Sequence, residues 1–267
     1  MRAALVVNPV ARDWKANLEK AAAMIHEAAA GGANMVLLGE MAVTGMVNND
    51  NPAHDLPIGQ SIPGPITRRF ARTAASLGIW LGFGILEREG TRLYDTALLV
   101  SPDGGIRLKY RRIQPQWHAK SADPAVYCQG EEFPKAQTAF GSVVFMVCGD
   151  LYDDGLKSEV RRMRPDWVLH LFARSFPDGS RDQAKWNREE LPEHQRLVAG
   201  MGVPVLATSY LCVEPFSPEA DTFGGAMVFG RDGGIKADLP LDQVGILEYD
   251  LRRLKGCSRP CAPPQKP

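Results

Sequence analysis

The run Ser142-Val143-Val144-Phe145-Met146-Val147-Cys148 carries no charge, is rich in β-branched and aromatic side chains, and stops at Gly149-Asp150. A short continuous apolar segment closed by turn residues reads as a strand buried on both faces, which belongs in an α/β fold with layers above and below the sheet. Its last residue is a thiol delivered to the carboxyl edge of that sheet. Open α/β folds build their sites at this edge.

The same pattern recurs along the chain. Leu5 to Val7 reads as a strand closed by Asn8-Pro9, and Asp13 can cap a helix whose apolar positions Leu18, Ala22, Ile25 and Ala29 repeat at helical spacing. Gly31-Gly32 ends that helix, and Met35-Val36-Leu37-Leu38 is a second buried strand followed by Gly39-Glu40. Strand, helix and strand within forty residues predict a parallel pair with a right-handed crossover. Further strands are expected over 79–86, 96–101, 106–112, 167–173, 203–211, 225–229 and 244–249. Helices are expected over 66–77, 155–164 and 182–200, the last interrupted at Pro192. Pro102-Asp103-Gly104-Gly105 is a hairpin turn, the polar stretches 48–64 and 114–139 read as long loops, and the pocket residues are expected from 46–65 and 114–139. No linker separates the two strand-and-helix halves. Residues 1–255 are therefore expected to form one domain, a layered α/β sandwich with the sheets of its halves face to face. Residues 256–267, a Pro-rich C-terminal tail, should pack on a neighbour or stay loose.

Charge excludes several roles. Lys+Arg and Asp+Glu balance at 31 each, which removes a bulk electrostatic case for nucleic acid or an anionic membrane. No apolar run approaches the roughly 20 residues of a membrane helix, and Ala3 to Val7 is too short for the apolar region of a signal peptide. Five cysteines (128, 148, 212, 257, 261) form an odd, sparse set rather than a disulfide framework, so a reducing cytoplasmic setting is expected. The five histidines lack metal-ligand spacing, and Cys257 and Cys261 lack histidine companions; no metal is expected.

By position alone, a cysteine at a strand end is more often a small buried apolar side chain than a nucleophile. Glu40 changes that balance. It too ends a buried strand, where a bare carboxylate is costly without a partner or a task. A thiol and a carboxylate on one sheet edge make a nucleophile and its base plausible. Lys109, Arg111 and Arg112 close the hairpin strand and offer a cation for an oxyanion.

These stretches resemble the motifs of the nitrilase (carbon–nitrogen hydrolase) superfamily. Leu38-Gly39-Glu40-Met41-Ala42-Val43-Thr44-Gly45 is similar to its glutamate motif, Pro102 to Ile113 to its lysine motif, Val147-Cys148-Gly149-Asp150 to its cysteine motif, and Gly225 to Gly233 to its late strand and turn. Order and spacing agree over nearly the whole chain. The resemblance implies an α-β-β-α sandwich, a homodimer or higher homo-oligomer, and hydrolysis of a small amide, nitrile or carbamoyl substrate without metal or organic cofactor. Cys148 would then form a thioester, Glu40 would act as base, and the backbone N–H of Gly149 would help hold the oxyanion.

The chain departs from the family pattern at named positions. Arg112 stands where the catalytic lysine is usual; it keeps the charge but cannot give up a proton near neutral pH. Lys109 should face the opposite side of the strand by alternation, leaving Lys120 in the next loop as a substitute that would have to reach in. Gln114 stands for a frequent histidine, Asp123 aligns with a second glutamate, Gly39 replaces a proline and Met46 a tyrosine. Trp117 and His118 lie near the expected site, where plain packing is the commoner role. Two readings follow: a working amidase-like hydrolase with Arg112 as charge stabiliser, or a family member that keeps fold and pocket as a ligand- or partner-binding module without turnover. A serine hydrolase is not favoured, since no G-x-S-x-G elbow is present.

Overall fold

The computed structural model describes residues 1–214, 216 and 221–255; the tail 256–267, with Cys257 and Cys261, lies outside the described residues. In chain order the first half runs β1 (Arg2–Val7), β2 (Pro9–Val10), α1 (Trp14–Ala30), β3 (Met35–Leu38), α2 (Pro52–Ile58), α3 (Pro65–Leu77), β4 (Trp80–Glu89), β5 (Arg92–Val100) and β6 (Ile106–Arg111). The second half runs β7 (Ala136–Thr138), β8 (Gly141–Val147), a 3-10 turn (Cys148–Tyr152), α4 (Asp154–Met163), β9 (Trp167–Leu171), α5 (Gln183–Glu189), α6 (Leu191–Met201) and β10 (Val205–Thr208). The last elements are β11 (Leu211–Cys212), β12 (Gly224–Phe229), β13 (Ile235–Leu241), β14 (Gly245–Asp250) and α7 (Arg252–Lys255).

Among the described residues the main strands form two six-stranded sheets, ordered β14-β1-β3-β4-β5-β6 and β13-β12-β10-β9-β8-β7. Each has a parallel centre, β1-β3-β4 in one and β8-β9-β10 in the other, with antiparallel strands at the flanks. The expected β1–β3 pair is parallel, with Ala3 opposite Met35 and Val6 opposite Leu38.

Strand alternation sorts the apolar residues into layers. Ala3, Leu5 and Val7 of β1 and Val143, Phe145 and Val147 of β8 share the core between the sheets. Ala4 and Val6 face the other way, onto Leu18 and Ile25 of α1 and Phe70 of α3. Val144 and Met146 likewise meet Leu156, Val160 and Leu197 of α4 and α6. The result is a single α-β-β-α sandwich. Helix α1 starts where Asp13 accepts hydrogen bonds from the N–H groups of Lys15 and Ala16, and stops at Gly31.

Three local expectations are corrected. The loop 48–64 contains α2, which Asn51 caps through Ala53 N–H and Pro52 starts. Its Asp55 accepts from Tyr127 Oη at 2.6 Å, which ties that segment to the loop 114–139. The helix over 182–200 is two helices broken at Glu190, with Pro192 in the first turn of the second, where a missing N–H costs nothing. Strand β13 was hidden by its mixed polarity, being an outer strand only partly buried. No helix among the described residues is long and apolar enough to cross a membrane.

The topology gathers the chain's reactive residues. Strand β6 is antiparallel to β5, and β5 to β4, so β6 points the same way as β3. Glu40 and Arg112 therefore emerge on one sheet edge.

Candidate active site

Glu40 follows β3 and is fully buried. It fits because residue 84 on β4 is glycine: a Cβ there would lie 2.6 Å from the Glu40 Cα. On β6 alternation places Leu108 and Tyr110 in the inter-sheet core and Lys109 and Arg111 on the far face, where both bind the buried Glu87 carboxylate. Arg112, one step further on, returns to the inner side and is 2% exposed. Its Nη1 donates to Glu40 Oε1 at 3.0 Å and to Asp95 Oδ2 at 3.3 Å, and its Nη2 to Gln114 Oε1 at 3.1 Å.

Cys148 opens the 3-10 turn with φ at +43°, outside the region that L-residues prefer. Such a residue persists only where its surroundings fix it, and here Asp150 does so. The Asp150 carboxylate accepts from Val147 N–H at 2.8 Å, Gln114 N–H at 3.0 Å and Tyr110 Oη at 2.7 Å, binding the cysteine turn to the chain beyond β6. Gly149 has no room for a side chain: a Cβ would lie 2.5 Å from Arg112 Nη2. In the opening turn its N–H has no partner within the turn. Cys148, Gly149 and Arg112 line a cavity of about 450 Å³ together with Gln116, Tyr152, Arg174 and three carboxylates, Glu189, Glu190 and Glu193.

Burial dominates the electrostatics. It raises Glu40 well above the usual carboxylate range, with Cys148 and Asp95 adding to the rise and Arg112 opposing it. Burial also raises Asp95, against hydrogen bonding from Glu40 and attraction to Arg112. Burial alone would lower Arg112, but Cys148, Glu40, Asp95 and Asp150 outweigh it and hold the cation charged. Asp150 is pushed up to about 6 by burial, its three hydrogen bonds limiting the rise. With an effective dielectric near 20, opposite charges 3.0 Å apart attract by about 5–6 kcal/mol, so Arg112 offsets much of the burial of one carboxylate. A second ionised carboxylate at 3.3 Å gains a similar attraction but meets repulsion of the same order from the first. Its desolvation then goes uncompensated.

The residues expected at the site divide as follows. Cys148, Glu40, Arg112 and Gly149 come together. Lys109 is on the opposite face of its strand, bound to Glu87. Asp123 is exposed and does not approach the cluster; its carboxylate caps its own turn through Ala125 N–H. Alignment through a loop sets no register, which is why that placement fails. Lys120 is exposed. Trp117 is buried in a cluster with Met41, Leu86, Leu93 and Tyr127, so it packs behind Glu40's neighbour rather than lining the cavity. Of the two long loops expected to form the pocket, 46–65 contributes none of the lining residues and 114–139 only Gln116. Besides Arg112, the second half supplies the rest through the cysteine turn, Tyr152, Arg174 and the α5–α6 junction.

Sequence reasoning missed Asp95, Asp150 and Arg174 as site residues. Asp95 left a signal: an acid at the same strand parity as the inward Ala97 and Leu99. Arg174 pairs with Glu190 across 16 residues and left none. Among the described residues no group of His, Cys, Asp and Glu is arranged to hold a metal ion.

A fully buried carboxylate held by a cation is thus set beside a cysteine of positive φ at a cavity wall, on an α-β-β-α sandwich. Comparison with known proteins gives the family. The chain belongs to the carbon–nitrogen hydrolase family, whose profile matches residues 2–256. It is 31% identical over 169 residues to an aliphatic nitrilase of Sinorhizobium fredii, covering 57% of this chain and 53% of that protein. The chain thus spans about half the length of that relative. It is 29% identical over 280 residues to nitrilase 1 of Arabidopsis thaliana, covering 91% and 75% of the two chains. Among solved structures, a carbon–nitrogen hydrolase from Helicobacter pylori superposes with a TM-score of 0.81 at 19% identity, over 96% of this chain and 90% of that one. An amidase from Nesterenkonia, in a glutamate-to-glutamine variant with acrylamide added at its active-site cysteine, superposes with a TM-score of 0.77 at 20% identity, over 94% and 93%.

Proposed function

We propose that this protein hydrolyses a non-peptide carbon–nitrogen bond in a small amide or carbamoyl compound through a thioester on Cys148, with Glu40 as general base. The observation that carries the reading is the contact of Arg112 with Glu40 at 3.0 Å, made while Arg112 also lines the cavity that Cys148 opens into. In acylation the Cys148 S–H bond breaks and its proton passes to Glu40. The sulfur forms a bond to the substrate carbon, and the C=O π pair moves onto oxygen. Arg112 and the Gly149 N–H are the groups that meet the oxyanion. Collapse expels the amine, which takes the proton from Glu40; water, activated by Glu40, then cleaves the thioester. Arg112 stays charged throughout and so acts by electrostatics alone. A cavity of about 450 Å³ suits a small substrate, in keeping with similarity to an amidase from Nesterenkonia and an omega-amidase of Xenopus tropicalis. A cytoplasmic homodimer or higher homo-oligomer is part of the same reading.

The test is ammonia release from a panel of short amides, nitriles and carbamoyl amino acids. At least one should be turned over, and Cys148→Ala should abolish that turnover. Release that survives Cys148→Ala removes the proposal. One observation favours a second reading, a binding module without turnover: burial gives Glu40 a raised affinity for a proton, and a base already protonated cannot accept the thiol's. Calorimetric binding of an amide with no ammonia released would select that reading.

A further inference from the structure

We infer that Asp95 is a positioning residue that shares one proton with Glu40, so that the pair presents a single negative charge to Arg112 and Asp95 can hold the proton while Glu40 serves as base. The inference deepens the hydrolase reading and rests on it. Both carboxyls are buried and both touch the same Arg112 nitrogen, Glu40 through Oε1 and Asp95 through Oδ2. Their other oxygens, Glu40 Oε2 and Asp95 Oδ1, receive no donor from the described residues. Both share the one Arg112 Nη1 donor, at 3.0 and 3.3 Å, which sets the two carboxyls side by side in the same buried space. Two carboxylates are acceptors only, and they can join only through a proton. Like charges this close do not both ionise, and the pair titrates in two macroscopic steps.

The other ionisable groups around the pair are Arg112 at the end of β6, Cys148 and Asp150 from the cysteine turn, and Tyr210 after β10. None of them replaces the proton: Arg112 Nη1 donates to Glu40 Oε1 and Asp95 Oδ2, and no donor among the described residues reaches the other two oxygens. Charge is then conserved along the reaction. At rest Arg112 faces one carboxylate. When Glu40 takes the thiol proton both acids are neutral, and Arg112 faces the new oxyanion instead. When Glu40 returns that proton to the leaving amine, the resting count is restored.

Asparagine mimics a protonated Asp95, since its amide N–H can donate to Glu40 and its carbonyl can accept from Arg112. Asp95→Asn should therefore keep kcat within about fivefold. It should also remove the alkaline fall in the pH–rate profile that arises when the wild-type pair loses its last proton. Asp95→Ala, which supplies neither group, should lower kcat by about 100-fold or more. Infrared difference spectra of wild type minus Asp95→Asn, at pH 7.5 and in deuterated water, read the proton without any turnover. The wild type should show the carbonyl stretch of a buried protonated carboxyl, and the Asn variant should lack it. Absence of that band in the wild type overturns the inference, as does an Asn variant as inactive as the Ala variant. If the band behaves as expected while no amide is hydrolysed, the proton assignment stands and only the hydrolase reading falls.

Discussion

Arg112→Lys is the substitution that restores the usual family residue, and the geometry gives its cost. The guanidinium makes three contacts: Nη1 to Glu40 and to Asp95 at 3.0 and 3.3 Å, and Nη2 to Gln114 at 3.1 Å. One ammonium can replace Nη1, but nothing replaces Nη2. Gln114 Oε1 would keep only the Gln116 N–H at 2.8 Å. Losing a hydrogen bond from a charged donor costs about 1.5–3 kcal/mol. For a chain of this size that corresponds to a fall in Tm of about 3–5 °C. Because Gln116 lines the cavity, the loosened Gln114–Gln116 segment should also degrade substrate binding and oxyanion geometry, lowering kcat/KM by about 10- to 100-fold. Thermal unfolding by circular dichroism and ammonia release on the best amide read the two effects. A lysine variant with unchanged Tm and faster hydrolysis would mark Arg112 as an impairment rather than a fitted part of the site.

Two further outcomes follow from contacts at the cysteine turn. Gly149→Ala sets a methyl 2.5 Å from Arg112 Nη2 and 2.7 Å from Gln114 Oε1; hydrolysis should fall by about 100-fold with Cys148 and Glu40 intact, and a variant of wild-type kcat contradicts the assigned geometry. Asp150 has its folded pKa raised from 3.8 to about 6, so its protonated form stabilises the fold below about pH 4 and that stability is lost as pH rises to 6. The shift of about two units corresponds to about 3 kcal/mol. Urea unfolding at pH 4 and 7 should show that Asp150→Asn loses this part of the pH dependence, and an unchanged slope would show that Asp150 is not the group responsible.

Much of the fold was legible because buried strands announce themselves. Met35–Leu38 and Ser142–Val147 have no polar face to present, so each needs layers on both sides, and both deliver a reactive residue to the edge. Alternation along β6 also sorted Lys109 from Arg112 correctly. What was not legible depends on tertiary packing. The α5–α6 junction brings Glu190 to Arg174 in the cavity wall, and no local pattern encodes that approach. Asp123 was placed by alignment through a loop, where no periodicity fixes register. Asp95 lay in plain view as an acid on an apolar strand face, but only the structure shows the two partners that share its burial.

The central claim is that Cys148, and no other thiol, attacks the substrate carbon. Rapid acid quench of the protein turning over a short amide, followed by intact mass and peptide mapping, measures it directly. A mass increase equal to one acyl group is expected, located on Cys148 and absent from Cys148→Ala. An adduct on Cys128 or Cys212, or ammonia release with no acyl-protein formed at any time, would contradict it.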